Sequence, residues 1–423
     1  MNTSVMDTAP LDTHVGSATA LAQDAKVMGL VGLAHASSHF GHMLLAPLFP
    51  IFMRDFGLSF SQVGALMTVF FVISGVGQAL AGFLVDKVGA RPVLFAALSI
   101  FALACAVGSM ATSYAWLIAM AALAGLANAS FHPVDFTILN QRITPSRIGH
   151  AFSVHGLTGS LGWALAPPFF VLMLALADWR TAYAVAAVMY LVMLTVMVVN
   201  RAHLVTAIVV RSGQAASDTS SELAGRQPNT VDFLKRPVLW WCFGFFLLST
   251  MTFAMVQGYI VSLLQAVHQV SFNQATATLT AYLLCSALGT LAGGFVAASA
   301  GWRTDRVVAW CMTVGAVCMA LAATTWLGAT GPMVILAATG FAIGIGGPSR
   351  DMMIKKAAPQ GATGRVYGMA YSGLDVGFAL SPMLFGALMD RNMYMATLLG
   401  GAAVLLLAVG AAIAVGRQTK ATT

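Results

Sequence analysis

The chain is short of charge. Only 8% of its 423 residues are Asp, Glu, Lys or Arg, against about a quarter in an ordinary soluble domain. So few charges cannot cover a water-facing surface, and a mean hydropathy of +0.83 leaves more apolar side chain than a soluble core can hide. Cysteine is scarce as well. Cys105, Cys242, Cys285, Cys311 and Cys318 lie in apolar runs without CxxC spacing, which excludes a disulfide framework or cysteine metal cage and leaves small core residues. No GxxxxGK[ST] loop occurs, so the chain itself does not drive work with ATP. The opening "MNTSVMDTAPLDTHVGSATALAQDAK" has no basic stretch followed by an apolar core. Residues 1–26 therefore read as a polar tail, not a cleaved leader. No Ser-His-Asp grouping stands out and no cofactor is implied, so an enzyme is not expected.

What is present is apolar sequence in runs of about 20 residues, the length of helix that crosses a hydrocarbon core. Reading the runs against their polar breaks predicts twelve helices, near 27–53, 58–84, 92–110, 115–140, 150–176 and 181–200, then 237–264, 272–298, 307–327, 330–352, 364–389 and 394–416. The expectation is an all-α membrane protein in a lipid bilayer. With the N-terminus inside, all 21 Lys and Arg except Arg54, Arg180 and Arg391 fall on the cytoplasmic side. Positive residues resist translocation, so both termini are expected to be cytoplasmic, in a cell inner membrane. The same asymmetry accounts for a pI near 9.3 without invoking nucleic acid. Residues 201–236, including "RSGQAASDTSSELAGRQPNT", read as a flexible linker between bundles at 27–200 and 237–416, with 417–423 as a short tail.

The two bundles repeat. At an offset of 212, Gln62, Thr68, Ser74, Gly77, Gly82 and Phe83 coincide with Gln274, Thr280, Ser286, Gly289, Gly294 and Phe295. At 215, Gly125, Pro133, Gly162, Ala164, Leu165 and Pro167 coincide with Gly340, Pro348, Gly377, Ala379, Leu380 and Pro382. Parallel six-helix repeats predict two pseudo-symmetric six-helix bundles with a binding site near the midplane.

Between predicted helices two and three, "GFLVDKVGARPVL" concentrates charge that the chain otherwise avoids. The stretch resembles the signature loop of the major facilitator superfamily, and the resemblance extends over residues 27–416. Gly82, Asp86, Gly89 and Arg91 match the pattern, with Lys87 where arginine is common and Ala90 at a commonly basic position. The resemblance implies a latch at the cytoplasmic gate. The second copy, "GGFVAASAGWRTDR", keeps Gly294, Gly301 and Arg303 but has Ala298 in place of the acid.

A narrower resemblance lies in "GLANASFHPVDFTILNQRI" and "GHAFSVHGLTGSLGWALAPP". A Phe-His-Pro in helix four and a Gly-rich helix five ending in Pro look like the fosmidomycin-resistance group of efflux transporters, and His35 fits that group's early histidine. His39 stands where an acidic residue is expected. Gly156, Gly159 and Gly162, then Pro167, predict close packing and a bend in helix five. They resemble a looser form of the helix-five signature of superfamily exporters, which implies export.

Ionisable groups within a membrane are costly and face a cavity or a partner. His35, His39 and His42 fall at i, i+4 and i+7, on one face of helix one. His132 and Asp135 share a face of helix four, His155 lies in helix five, Arg350 near the inner end of helix ten, and Asp375 in helix eleven. These eight are the candidate substrate- and proton-binding residues. Three histidines on one helix could hold zinc only with a partner for each second ring nitrogen. No carboxylate on that helix supplies one, so no metal is expected. The reading is a monomeric, proton-coupled transporter that exports a small anionic or drug-like solute. Proton-symport uptake of a small organic acid stays open, and a non-transporting membrane sensor is a remote alternative.

Overall fold

A computed structural model describes residues 17–207, 236–299, 303–328, 330–357 and 363–420. The described residues form helices: α1 (Ser17–His42), α2 (Phe49–Phe56), α3 (Phe60–Val88), α4 (Ala90–Ser109), α5 (Tyr114–Asn128), α6 (Phe131–Arg142), α7 (Ile148–Leu176), α8 (Trp179–Val199), α9 (Pro237–His268), α10 (Phe272–Ala298), α11 (Thr304–Ala322), α12 (Gly331–Ala357), α13 (Thr363–Asp390) and α14 (Tyr394–Lys420). Eleven segments are long and apolar enough to cross a membrane, with α5 and α6 counted as one. The twelfth crossing is α1, more polar but 26 residues long, or about 39 Å at 1.5 Å per residue. The molecule is two six-crossing halves.

The repeat in the sequence becomes a repeat of contacts. Ser59 and Gln62 form a capping box at the start of α3, and Ser271 and Gln274 form the same box at the start of α10, each supplying partners for backbone groups that a helix start leaves unpaired. A side chain at Gly125 would run into the carbonyl of Phe70, and one at Gly340 into the carbonyl of Tyr282. Glycine at these matched positions lets α5 lie against α3, and α12 against α10, backbone to backbone.

Several boundaries differ from expectation. The tail expected over residues 1–26 is helical from Ser17, because Asp24 is anchored in the fold: it accepts from the Thr144 N–H at 3.3 Å and from Arg147 at 2.8 Å. Helix one does not run to residue 53. It stops at His42, and Pro47 and Pro50, which lack N–H donors, sit in the first turns of a 3-10 segment and of α2. Helix four divides at Ala129–Ser130, with Pro133 in the first turn of α6 where its missing N–H costs no bond. The linker begins docked: the Thr206 hydroxyl accepts from the Ala90 N–H at 3.0 Å, and the Ala207 N–H donates to Gln141 at 2.7 Å. The rest of the linker and Gly301 lie outside the described residues. The tail at 417–423 is helical through Lys420.

The charged signature is not a loop. α3 runs to Val88, α4 starts at Ala90, and Gly89 alone turns the chain, at φ 86°. That left-handed angle strains any residue with a Cβ. Gly82 faces open space inside α3, so it serves no close helix approach. Asp86 and Lys87 are exposed, and among the described residues Asp86, Lys87 and Arg91 make no ion pair within 4.0 Å.

The halves meet at the end of the molecule away from Ser17 and Lys420. Asp390, at the end of α13, accepts from the Phe60 and Ser61 N–H groups at the start of α3, at 2.6 and 3.0 Å. The Tyr259 hydroxyl donates to the Pro382 carbonyl at 2.6 Å and lies 3.1 Å from the Phe60 carbonyl oxygen. Thr68 donates to the Ala379 carbonyl at 2.7 Å, and Phe71 stacks on Phe378 at 4.2 Å. Along the exposed inner half of α3, Val76 is 62% exposed, Leu80 63% and Phe83 74%. The molecule is sealed at the far end.

Candidate functional site

The sequence placed His35, His39 and His42 on one face of α1, and the structure turns that face toward α6 and α7. The 3.6-residue period of α7 aligns His155, Gly159 and Trp163 on the opposing side. Between them stands Asp135 of α6, with 0% exposure. One carboxylate oxygen lies 3.0 Å from His35 Nδ1 and 3.1 Å from His155 Nε2. With Asp135 ionised, both nitrogens carry hydrogen, since a carboxylate only accepts. The imidazoles form a column: His35 stacks on His155 at 3.5 Å and lies 4.3 Å from His39, which stacks on Trp163 at 4.2 Å. His132 adds its ring 5.3 Å from His35. It is the one partly buried imidazole in an otherwise buried group.

Gly159 makes the column possible, because a methyl group there would stand 2.8 Å from His39 and 2.9 Å from His35. A side chain at Gly162 would meet the Ala36 backbone, so α1 and α7 touch one turn further along. Gly156 faces open space and takes no part in this packing. The expected bend at Pro167 does not interrupt α7, which stays helical through Pro167 and Pro168 to Leu176.

A second network extends from His42. The Trp163 indole N–H donates to His42 Nδ1 at 3.2 Å, so that nitrogen holds a lone pair and the proton sits on Nε2. Nε2 in turn donates to Asn128 Oδ1 at 3.0 Å, which also accepts from Ser38 at 2.6 Å. The Asn128 amide then donates to the Ser74 hydroxyl at 2.8 Å. Ser38, Ser74 and Trp163 escaped the sequence reading. Trp163 carried a signal, being eight residues from His155 and therefore on its face. Trp163→Phe keeps the ring and removes the donor, stranding a buried acceptor at a cost of about 1–3 kcal/mol. Thermal unfolding in detergent should show the loss; an unchanged midpoint would mean that the bond adds no net stability.

Three polar atoms in the cluster are buried without a partner: His39 Nδ1, His132 Nδ1 and the second oxygen of Asp135. Such groups are rare in folded proteins and mark sites that take protons, water or ligand. Ring nitrogens of His35, His132 and His155 lie within 4.8 Å of one another. One nitrogen of His35 and one of His155 converge on the same oxygen of Asp135 and are engaged there.

Arg350 and Asp375 are not brought into this cluster. Arg350 occupies the position in the second half that Asp135 occupies in the first. Its Nε donates to Asp351 at 2.9 Å, and its guanidinium lies 5.1 Å above Phe246. Tyr371, near the match of His155, donates to Asp351 at 3.2 Å. The repeat thus places an acid among histidines in one half and an arginine among aromatics in the other. Asp375 faces α3 across the interface, its Cβ 3.2 Å from where a side chain at Gly75 would begin.

Residues 31–382 match the Major Facilitator Superfamily, and the chain belongs to it. It is similar to a probable L-galactonate transporter of Escherichia coli (strain K12), 24% identical over 30% of this chain and 28% of that one. It is also similar to a probable nitrate/nitrite transporter, NarK2, of Mycobacterium tuberculosis (strain ATCC 25618 / H37Rv), 26% identical over 82% and 85%. A fosmidomycin resistance protein of Escherichia coli (strain K12) matches at 23% identity over 37% and 39%. The chain spans between 28% and 37% of the length of three of the curated relatives it matches: the probable L-galactonate transporter, the inner membrane transport protein YnfM of Escherichia coli (strain K12) and a probable sulfoacetate transporter, SauU, of Cupriavidus necator. Among solved structures, a bacterial homologue of the human lysosomal transporter Spinster, inward-facing and occupied, superposes with a TM-score of 0.68 at 13% identity over 93% and 96% of the chains. The nucleoside transporter NupG (D323A mutant) gives 0.68 at 15% over 93% and 99%. The fold is that of a multi-pass membrane transporter of this family.

Proposed function

We propose that the protein is a proton-coupled exporter of a small anionic or drug-like solute, acting as a monomer in a cell inner membrane with both termini in the cytoplasm. The observation that carries this reading is Asp135, buried between His35 and His155 with one oxygen unpaired. A carboxylate so placed needs a proton or a cationic neighbour. Its two imidazoles can supply either. With the periplasmic ends sealed through Asp390 and Tyr259, the state described is inward-facing. Asp86, Lys87 and Arg91 make no ion pair with a described residue, as an open cytoplasmic latch would leave them. His132 and His39 supply donor groups toward an anion, and likeness to a fosmidomycin resistance protein favours export.

Uptake of an organic acid by proton symport is the second reading, favoured by similarity to probable L-galactonate and sulfoacetate transporters. Everted vesicles separate the two. Their lumen is acidic, so an antiporter releases protons as soon as its solute is added outside, while a symporter does so only with solute preloaded in the lumen. Organic acids, phosphonates and cationic drugs would be screened for collapse of the pH gradient. Collapse on external addition supports export. Collapse only after preloading overturns it in favour of uptake, and solute movement indifferent to the gradient overturns proton coupling altogether.

A further inference from the structure

We propose that the chain carries a site for an anionic phospholipid, on the membrane-facing side of the second half between α11 and α14. The inference does not depend on which solute the transporter moves. A groove of about 640 Å³ opens there, walled by Arg306 and Trp310 of α11 and by Val409, Ile413 and Arg417 of α14. Both helices present these residues as stripes of helical spacing. α11 begins and α14 ends at the same end of the molecule, so the two stripes run in parallel with depth. Each starts in an arginine; α11 passes to Trp310 and α14 to Ile413 and Val409. The eight helical steps from Arg417 to Val409 cover about 12 Å of helix, the distance from a headgroup into the acyl region.

The charge at the mouth is unbalanced. Asp305 also borders the groove, but Arg303 holds it through two bonds, at 3.1 and 2.6 Å. Arg306 and Arg417 are exposed and make no ion pair with a described acid. Two guanidiniums that line one groove without a described acidic partner favour an anion between them, and a phosphate matches the guanidinium fork. A second, almost wholly apolar groove of about 460 Å³ lies on the other side of Trp310, between α10 and α11, lined by Phe295, Val296 and Val307. Trp310, 70% exposed, stands on the ridge between the grooves, at the depth where indole rings favour the headgroup boundary. One phosphate at the arginines and two chains astride Trp310 is the shape of a diacyl phospholipid. A basic mouth selects the anionic kind.

The purified full chain would be reconstituted in nanodiscs of phosphatidylcholine with increasing phosphatidylglycerol, and retained lipid counted by native mass spectrometry beside thermal unfolding. Phosphatidylglycerol should bind about tenfold or more tightly than phosphatidylcholine and raise the unfolding midpoint. The double variant Arg306→Gln/Arg417→Gln should lose that preference, and Arg306→Lys/Arg417→Lys should largely keep it. Both pairs are exposed substitutions, and size exclusion verifies that each remains folded. Equal retention of the two lipids, or a glutamine variant with undiminished preference, overturns the proposal. Stabilisation by inorganic phosphate alone to the same extent overturns it too, because the grooves would then contribute nothing.

Discussion

Replacing Asp135 by Asn leaves a folded, membrane-inserted protein whose pH-driven transport falls by about 10²-fold or more, the range lost when a proton-transferring group is removed. The physics separates folding from function at this residue. Asn keeps an oxygen that still accepts from His35 and His155, now at 3.0 and 3.1 Å from the carboxylate, so the column of rings keeps its central acceptor. What disappears is the charge that lets a proton arrive and leave. Asp135→Leu would remove the acceptor as well and strand two buried donors. It should destabilise the protein by about 3–5 kcal/mol, as breaking a buried charged pair does. Transport in proteoliposomes with an imposed pH gradient, beside thermal unfolding, reads both effects. Wild-type transport in Asp135→Asn would remove Asp135 from the coupling mechanism and recast the histidines as structural. Equal solute exchange without a gradient in variant and wild type would instead place Asp135 in coupling alone.

Gly64→Val is expected to break the seal at the far end. A side chain at Gly64 would occupy the position of the Tyr259 hydroxyl and stand 2.6 Å from the Pro382 carbonyl oxygen, two groups that now bond to each other. Overpacking of this kind costs about 1–3 kcal/mol. Because the clash exists only while the halves touch, that cost shifts the closed-to-open ratio by about tenfold to a hundredfold. The variant should therefore fold and favour an outward-open state. Spin labels at the far ends of α3 and α13 would report a longer separation, and transport would drop because the inward-facing state is scarce. Labels that stay at their wild-type distance would show that the contact yields without opening, and that the seal is held elsewhere.

Much of this was legible in the sequence because membrane insertion imposes strong rules. Twelve apolar runs and a repeat at offsets of 212 and 215 foretold the architecture, and the repeat reappears as matched capping boxes and matched glycine contacts. The periodicity of His35, His39 and His42 correctly gave one shared face. Less visible was what that face meets. Asp135 and His155 are far from α1 in sequence, and only helix packing makes them one hydrogen-bonded group. The same limit hid Ser38, Ser74 and Trp163, common residue types whose partners lie on other helices. Ser17 and His42 as helix limits were missed for a different reason. Hydropathy marks where a chain can be in lipid, whereas Asp24's anchor to Arg147 and the prolines at 47 and 50 decide where the helix starts and stops. The charged signature misled in a third way: its residues read as a loop, yet one glycine at positive φ suffices for the turn.

Among the described residues, the bond from Asp390 to the first N–H groups of α3 has no twin. The repeat pairs α3 with α10 and the end of α13 with the end of α7, but the residue of α7 that corresponds to Asp390 is Ala175. α10 therefore begins with its own capping box and no visiting carboxylate. A joint fastened on one edge and merely packed on the other does not part evenly. Opening toward the far side should begin where α7 lies against α10 and swing about the α3–α13 edge, in the manner of a door on its hinge. The order of events in the transport cycle would then be written in a single acidic side chain that the other half of the molecule lacks.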